Sequence, residues 1–149
     1  MGSTFDTEAY YFLTNSYTGP NQALSSTPKL SMQPLSQSSL GQVWKLSPTD
    51  RPGYYRLQTL ASSSKKSVDV VNDHGTDSTK LAMADTGNFS GQFWRFDAWG
   101  GDGTYRLSNT FTGEAKHFDV YSDTKEPFLG TDNHSGQHWT LKKVKFVPS

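Results

Sequence analysis

The chain has 149 residues, the size of one domain, and its 14 basic residues balance its 14 acidic residues. A neutral balance gives no electrostatic argument for binding nucleic acid or an acidic membrane surface, and no run approaches the ~18 apolar residues of a membrane helix. Hydrophobic residues make up only 33% and aromatic residues 13%, and the lack of cysteine excludes disulfides and cysteine-zinc sites.

The N-terminal segment has no charged stretch followed by an apolar one, so no signal peptide is predicted. This leaves both a cytoplasmic location and secretion by another route open. Residues 1–8 are expected to form a loose arm.

From Tyr10 onward, short strand-like runs alternate with clusters of Gly, Pro, Asn, Asp and Ser, which predicts an all-β fold. No window has sustained helical periodicity. The first unit spans about 9–50. Its predicted strands are Tyr10–Asn15, Ala23–Ser25, Leu30–Gln33 and Val43–Leu46.

The second unit, about 53–99, repeats this order with a longer loop, Asn72–Asp77, before a strand at Lys80–Ala84. The turn Trp99–Gly103 leads into the third unit, about 103–144. A glycine-rich phosphate loop should lead into a helix, whereas this turn precedes a strand, so a phosphate site is not predicted. Trp99 is expected to be a surface or hairpin aromatic.

A Gly-Gln-x-Trp motif occurs three times, and its glutamines Gln42, Gln92 and Gln137 lie 50 and then 45 residues apart. Each unit also opens with an aromatic strand. Fourteen residues after the opening tyrosines come Ser25, Asp69 and Asp119, each preceded by an apolar residue. Landmarks in one register indicate three copies of one structural unit in a single domain.

Three four-stranded repeats that each end in Gln-x-Trp resemble the ricin B-type β-trefoil lectin family, over residues 9–141. The resemblance implies a six-stranded barrel capped by three hairpins around a pseudo-threefold axis. The lack of cysteine is similar to disulfide-free microbial and fungal members. Trp44, Trp94 and Trp139 are expected to be structural, with the glutamine amides bonding irregular backbone beside them.

In this family each repeat can carry a shallow sugar site, anchored by an Asp after the apolar residue of the second strand. The resemblance therefore implies sites at Asp119 and Asp69, since a carboxylate accepts strong hydrogen bonds from sugar hydroxyls. Ser25 stands in this place in the first repeat, so the first site is expected to be inactive or to bind differently. The alternative for each Asp is a turn residue that bonds its own backbone.

The chain departs from the family pattern at two points. The aromatic expected near the end of the third strand is absent: the first and second repeats have Gln33 and Ala84, and the third has Leu129, Gly130 or Thr131, depending on the alignment. The asparagine before Gln-x-Trp is also replaced, by Gly41, Gly91 and Gly136.

Nearby amide and ring side chains are candidates to replace the missing groups. The predicted third-repeat site comprises Asp119, Tyr121, Asn133, His134 and Gln137. The predicted second-repeat site comprises Asp69, His74, Asn88, Phe89 and Gln92.

The four histidines lack metal-ligand spacing, so neither a metal nor a cofactor is predicted. His117 is expected to point to solvent, and His138 occupies the variable position of a Gln-x-Trp motif.

The resemblance implies a non-catalytic lectin for Gal- or GalNAc-containing glycans, with no membrane insertion, whose avidity two sites or a homodimer would raise. One alternative is a β-trefoil protease inhibitor or other protein-binding module acting through the loops Asn72–Ser78 and Ser122–Pro127. A glycosidase is disfavoured because Asp69 and Asp119 are expected in different lobes, too far apart to cooperate, although Asp69 with Asp73 or Asp77 and Asp119 with Asp123 remain formal pairs.

Overall fold

The computed structural model describes residues 5–36, 38–120, 124–131 and 134–144. Within these ranges the chain forms twelve strands and five single-turn 3-10 helices. The strands are β1 (Tyr10–Asn15), β2 (Gln22–Ser25), β3 (Ser31–Pro34), β4 (Trp44–Pro48), β5 (Tyr54–Thr59), β6 (Lys66–Val70), β7 (Leu81–Asp85), β8 (Trp94–Ala98), β9 (Tyr105–Asn109), β10 (His117–Val120), β11 (Pro127–Gly130) and β12 (Trp139–Lys143). The 3-10 helices are Leu40–Gln42, Ser63–Lys65, Gly75–Asp77, Ser90–Gln92 and Ser135–Gln137.

Six strands form a closed barrel in the order β1-β12-β9-β8-β5-β4, with all neighbours antiparallel. Closing the sheet leaves the barrel without a free edge. The remaining six strands pair as three hairpins, β2-β3, β6-β7 and β10-β11. This all-β architecture is the predicted β-trefoil, with one hairpin for each barrel strand pair.

The three motif tryptophans have equivalent surroundings. Trp44, Trp94 and Trp139 are at most 1% exposed. Each indole N–H donates to a main-chain carbonyl in the second strand of its own repeat, at Leu24 (2.8 Å), Val68 (3.1 Å) and Phe118 (2.8 Å). The indoles thus join barrel strands to hairpins, and their predicted structural role is confirmed.

The N-terminal arm is packed rather than loose from residue 5 onward. The Phe5 ring contacts Tyr11, Tyr55, Phe96 and Tyr105 edge-on, with centroids 5.0–6.2 Å apart. Its amide also donates to the Tyr55 hydroxyl at 3.0 Å. The prediction of a loose arm was wrong for this part because the Phe5 ring packs among the opening tyrosines of all three repeats.

No helix in the described residues is long and apolar enough to cross a membrane.

Candidate functional site

The motif glutamines hold the backbone that surrounds each candidate site. Gln42, Gln92 and Gln137 are at most 2% exposed and end three of the 3-10 helices. Their amide nitrogens donate to the carbonyls of Pro34, Asp85 and Thr131 at 2.8–2.9 Å. The prediction that these amides bond irregular backbone beside the tryptophans is confirmed.

Asp119 lies in β10 opposite Phe128 of β11. One carboxylate oxygen accepts the main-chain N–H of Val120 at 2.8 Å, and the other accepts the Gln137 side-chain amide at 3.2 Å. A carboxylate offers about four acceptor positions, so two protein donors leave capacity for a ligand. These two bonds fix the orientation of the side chain, and the residue is only 4% exposed.

Two adjoining depressions, the third-repeat cavities, lead to Asp119, and each has a volume of about 370 Å³. Both are lined by Asp119, Phe128 and His134. Lys116 lines one of them, and Tyr17 with Gly136 lines the other. The Asp119 carboxylate therefore lines an opening that the rings of Phe128, His134 and Tyr17 also line.

Asp69 repeats this arrangement in β6. Its carboxylate accepts the N–H of Val70 at 2.7 Å and the Gln92 side-chain amide at 3.0 Å. The second-repeat cavity, of about 170 Å³, opens onto it. Its lining residues are Asp69, Val70, Asn72, Phe89, Ser90, Gly91 and Phe111.

The glycine before each glutamine has a steric reason. A Cβ added to Gly91 would lie 2.5 Å from the Asp69 carboxylate, and one added to Gly136 would also collide with the carboxylate of Asp119. Real Cβ atoms do not approach oxygen this closely, so the family's asparagine has no room in this backbone. A Cβ added to Gly41 would instead collide with the Thr27 hydroxyl, so the replacement of Asn by Gly is coupled to a carboxylate only in the second and third repeats.

The first repeat lacks this constellation. The Ser25 hydroxyl donates to the carbonyl of Thr27 at 3.0 Å and accepts the N–H of the same residue at 3.3 Å. Ser25 is 1% exposed, and the oxygen it presents carries no formal charge. These bonds agree with the expectation that the first site differs from the other two.

The structure brings together only some of the predicted site residues. Asp119 with His134, and Asp69 with Phe89, share cavities, whereas Gln137 and Gln92 are fully buried and orient the carboxylates from behind. Tyr121 and Asn133 lie outside the described residues.

Two residues predicted for the second site lie elsewhere. The His74 side chain is 73% exposed and pairs with Asp73 at 2.9 Å in the β6–β7 loop, away from the lining of the second-repeat cavity. Asn88 is exposed and does not line it either. Asn72, from the same loop as His74, lines the cavity instead.

His117 was predicted to point to solvent, and that prediction is wrong. The residue is 8% exposed, its Nδ1 lies 2.8 Å from the Gln137 side-chain oxygen, and its Nε2 lies 2.9 Å from the carbonyl of Glu114. The ring therefore completes the bonding of the glutamine that holds Asp119.

Trp99 follows β8 in the hairpin to β9, as predicted. Its ring stacks on His138 with centroids 4.4 Å apart, and its indole N–H donates to the carbonyl of Gln137 at 3.0 Å. This aromatic pair supports the backbone of the third motif from the barrel side.

Tyr17 and Phe111 also line the candidate cavities and were not among the predicted site residues. Each comes from the turn after the first strand of a neighbouring repeat, and the signal was present as Asn15-Ser-Tyr-Thr-Gly and Asn109-Thr-Phe-Thr-Gly. Phe128 was not predicted either. In the structure β11 places it directly across from Asp119.

Among the residues described, no group of three or more His, Asp or Glu side chains is arranged to hold a metal ion. Of the carboxylate pairs considered for catalysis, Asp73 is engaged with His74 and lies 3.7 Å from Lys80. Asp123 lies outside the described residues.

A sequence profile described as ricin-type beta-trefoil lectin domain-like matches residues 40–128, more than half of the chain. The chain belongs to this family. As a ricin-type lectin domain it is a lectin-like carbohydrate-binding domain, free of cysteine. No curated protein sequence matches it.

Solved structures support the same fold for this lectin domain. A mosquitocidal holotoxin is similar with a TM-score of 0.81 and 13% identity, and the match covers 96% of this chain but 18% of the toxin. ThreeFoil, a designed 3-fold symmetric protein, has a TM-score of 0.71 at 24% identity, covering 89% of this chain and 97% of ThreeFoil. SeviL, solved bound to an asialo-GM1 saccharide, has a TM-score of 0.70 at 17% identity, covering 91% and 98%.

At these identities the likeness shows the fold alone. The chain spans under a fifth of the holotoxin's length and almost all of ThreeFoil and SeviL. Similar structures also include an exo-beta-1,3-galactanase from Clostridium thermocellum, of which the match covers 32%. The same fold thus occurs both as a small protein and within a larger enzyme.

Proposed function

We propose that this lectin domain is non-catalytic and recognises Gal- or GalNAc-containing glycans through its second and third repeats. The observation that carries the proposal is the pair of oriented carboxylates, Asp69 and Asp119, each at an opening lined by aromatic rings. Fixed carboxylates accept hydrogen bonds from adjacent sugar hydroxyls, and rings pack on the apolar face of a hexose.

The bonding of each carboxylate favours recognition over catalysis. A glycosidase needs two carboxyl groups about 5–10 Å apart across the bond that is cut. Asp69 and Asp119 belong to the hairpins of different repeats, and each is bonded to its own repeat's glutamine. Among the described residues that line each cavity, Asp69 or Asp119 is the one acidic side chain, which supports a role as a hydrogen-bonding anchor.

Two sites on one chain would raise avidity for a multivalent glycan surface without any new contact. A homodimer would extend this effect, and the apparent affinity for glycan-coated surfaces would then depend on protein concentration. Sedimentation analysis measures whether such a dimer exists.

A glycan array with the Asp69→Asn, Asp119→Asn and doubly substituted proteins tests the proposal. Binding to galactosides should fall in each single variant and vanish in the double variant, whereas Asp50→Asn, in an exposed turn of the first repeat, should bind as the parent does. Melting temperatures establish that the variants are folded. Unchanged binding by a folded double variant would contradict the proposed sites.

Two further assays separate the alternatives. Turnover of chromogenic galactosides, abolished by either Asp substitution, would overturn the non-catalytic assignment. Tight inhibition of a protease by a protein that binds no array glycan would favour a protein-binding module acting through the exposed loop 72–77.

A further inference from the structure

The turn after the first strand is similar in all three repeats, most closely in the first and the third. The residues six positions after the opening tyrosines Tyr11, Tyr55 and Tyr105 are Tyr17, Ala61 and Phe111. Two positions further on, the backbone has positive φ at Gly19 (86°), Ser63 (50°) and Gly113 (85°). In the first and third turns the glycine N–H also donates to the carbonyls of Asn15 (2.8 Å) and Asn109 (3.0 Å), whereas Ser63 begins a 3-10 helix. The three turns also differ in the side chain at their tip.

Each turn is bonded to the motif of a different repeat. The N–H groups of Ser16, Leu60 and Thr110 donate to the variable residue of the adjacent Gly-Gln-x-Trp motif. The acceptors are the carbonyls of His138 at 3.0 Å, Val43 at 3.1 Å and Phe93 at 3.2 Å. These bonds place the first repeat's turn beside the third-repeat site, the third's beside the second, and the second's beside the first.

Asparagine side chains fix the tips of two of these turns. Asn15 accepts the N–H of Tyr17 at 2.8 Å and donates to the carbonyl of Gly136 at 2.6 Å, beside Asp119. Asn109 accepts the N–H of Phe111 at 2.9 Å in the same way. Asn15 thus bonds the Tyr17 turn to the neighbouring site. Asn109 bonds within its own turn, to Thr112 at 2.8 Å, and the Thr110 hydroxyl donates to the carbonyl of Ser90 in the neighbouring repeat at 2.7 Å.

Both tips line the candidate cavities. Tyr17, which is 51% exposed, shares a third-repeat cavity with Asp119 and His134. Phe111 shares the second-repeat cavity with Asp69 and Phe89, which is 58% exposed. Each carboxylate therefore has one ring from its own repeat, at the N-cap of the 3-10 helix, and one from the next repeat.

We infer that each sugar site is assembled from two repeats, with Tyr17 and Phe111 as stacking side chains for a hexose anchored by Asp119 and Asp69. This inference rests on the proposed function and adds to it the residues that shape each site. The Tyr17 ring is exposed and the Phe111 ring is partly buried against the core. Aromatic rings beside a charged acceptor match a ligand with one apolar C–H face and hydroxyls at its edge.

The first repeat lacks all three parts of this arrangement. Ser25 stands in place of the carboxylate, Ser39 in place of the N-cap ring, and Ala61 in place of the turn ring. If a sugar site needs the carboxylate and both rings, the first repeat should bind no sugar. The first repeat then serves as an internal negative control.

The two rings also differ in chemistry. Tyr17 carries a hydroxyl that can donate to or accept from a sugar, whereas Phe111 offers only an apolar face. The third-repeat site should consequently discriminate more strongly among hexoses that differ in one hydroxyl. Tyr17→Phe should reduce that discrimination while retaining binding.

NMR titration with lactose and with N-acetylgalactosamine tests the inference, because the amide signals of Gly41, Gly91 and Gly136 report on the three repeats separately. In an Asp69→Asn background, Tyr17→Ala should weaken third-site binding by about three- to tenfold. In an Asp119→Asn background, Phe111→Ala should do the same at the second site. Leu40→Ala, an exposed apolar truncation in the first repeat, should leave both affinities unchanged.

The outcomes separate this inference from the proposed function. If neither sugar binds the parent protein, the proposed function fails and the inference falls with it. If Asp119→Asn and Asp69→Asn each abolish binding at their own site but Tyr17→Ala and Phe111→Ala leave the affinities unchanged, the lectin sites stand and their two-repeat construction is wrong. A folded triple variant, Ser25→Asp with Ser39→Phe and Ala61→Tyr, that shifts the Gly41 signal on titration would support the inference directly.

Discussion

The Asp119 carboxylate accepts the side-chain amide of Gln137 at 3.2 Å, and the same bond joins Asp69 to Gln92 at 3.0 Å. The glutamine of each Gln-x-Trp motif also bonds the main chain around its site. One residue therefore stabilises the trefoil repeat and orients the carboxylate of the proposed site. In the second and third repeats the motif glutamine thus belongs both to the fold and to the candidate site.

Replacing this glutamine should affect stability and binding together. Gln137→Met keeps the volume but leaves the carbonyl of Thr131 and one oxygen of Asp119 without this donor, at a cost of about 1–3 kcal/mol in the free energy of unfolding. Third-site affinity for galactosides should fall as well. Gln42→Met removes comparable bonds to Pro34 and Ser36 in the first repeat and should destabilise without changing affinity. Retained third-site affinity in folded Gln137→Met would contradict the orienting role.

The motif glycines should not tolerate a methyl group. Gly91→Ala or Gly136→Ala pushes a Cβ into a site carboxylate and should cost about 1–3 kcal/mol of stability, with weaker sugar binding at the same repeat. Gly100→Ala, where an added Cβ meets nothing within 4 Å, should stay within about 0.5 kcal/mol. Denaturant unfolding of the three variants measures the difference. Equal stability would show that the carboxylates can move away freely.

The repeat register predicted three copies of one unit, and the resemblance to the ricin B-type family implied the barrel, the hairpins and the structural tryptophans. The register succeeded because Gln42, Gln92 and Gln137 are fixed by bonds within one repeat. Features that depend on contact between repeats were missed. Tyr17 and Asp119 are 102 positions apart in the chain, and only the closed barrel brings them to one cavity.

A second error had a similar cause. His117 looks like a solvent-facing residue from its place before Phe118, but strand β10 packs beside the 3-10 helix Ser135–Gln137. The ring then bonds Gln137. His74 pairs with the adjacent Asp73 and does not line the second-repeat cavity.

Phe5 should contribute to stability although it precedes the first strand. Phe5→Ala removes a partly buried ring from among the opening tyrosines and should lower the free energy of unfolding by about 2–3 kcal/mol. Phe89→Ala removes an exposed ring and should change the free energy of unfolding by less than about 0.5 kcal/mol. Thermal unfolding of the two variants provides the comparison. A Phe5→Ala protein as stable as the parent would restore the expectation of a loose arm.

One ion pair should give a measurable acid dependence. The Arg95 guanidinium bonds Glu114 and lowers the pKa of that carboxyl, while Asp97 holds Arg95 at 2.9 Å from the other side. A depressed folded-state pKa contributes stability above the unfolded value, and this contribution is lost as pH falls through the folded value. Glu114→Gln should therefore lower the melting temperature slightly near neutral pH and converge with the parent below about pH 4. A parallel offset of Glu114→Gln from the parent at every pH would contradict the assignment.

A crystal structure after soaking with lactose or N-acetylgalactosamine tests the central claim most directly. The account predicts a hexose at Asp119 packed against Tyr17, a second at Asp69 packed against Phe111, and none at Ser25. Sugar bound at Ser25, or bound at a surface that contacts neither carboxylate, would contradict it.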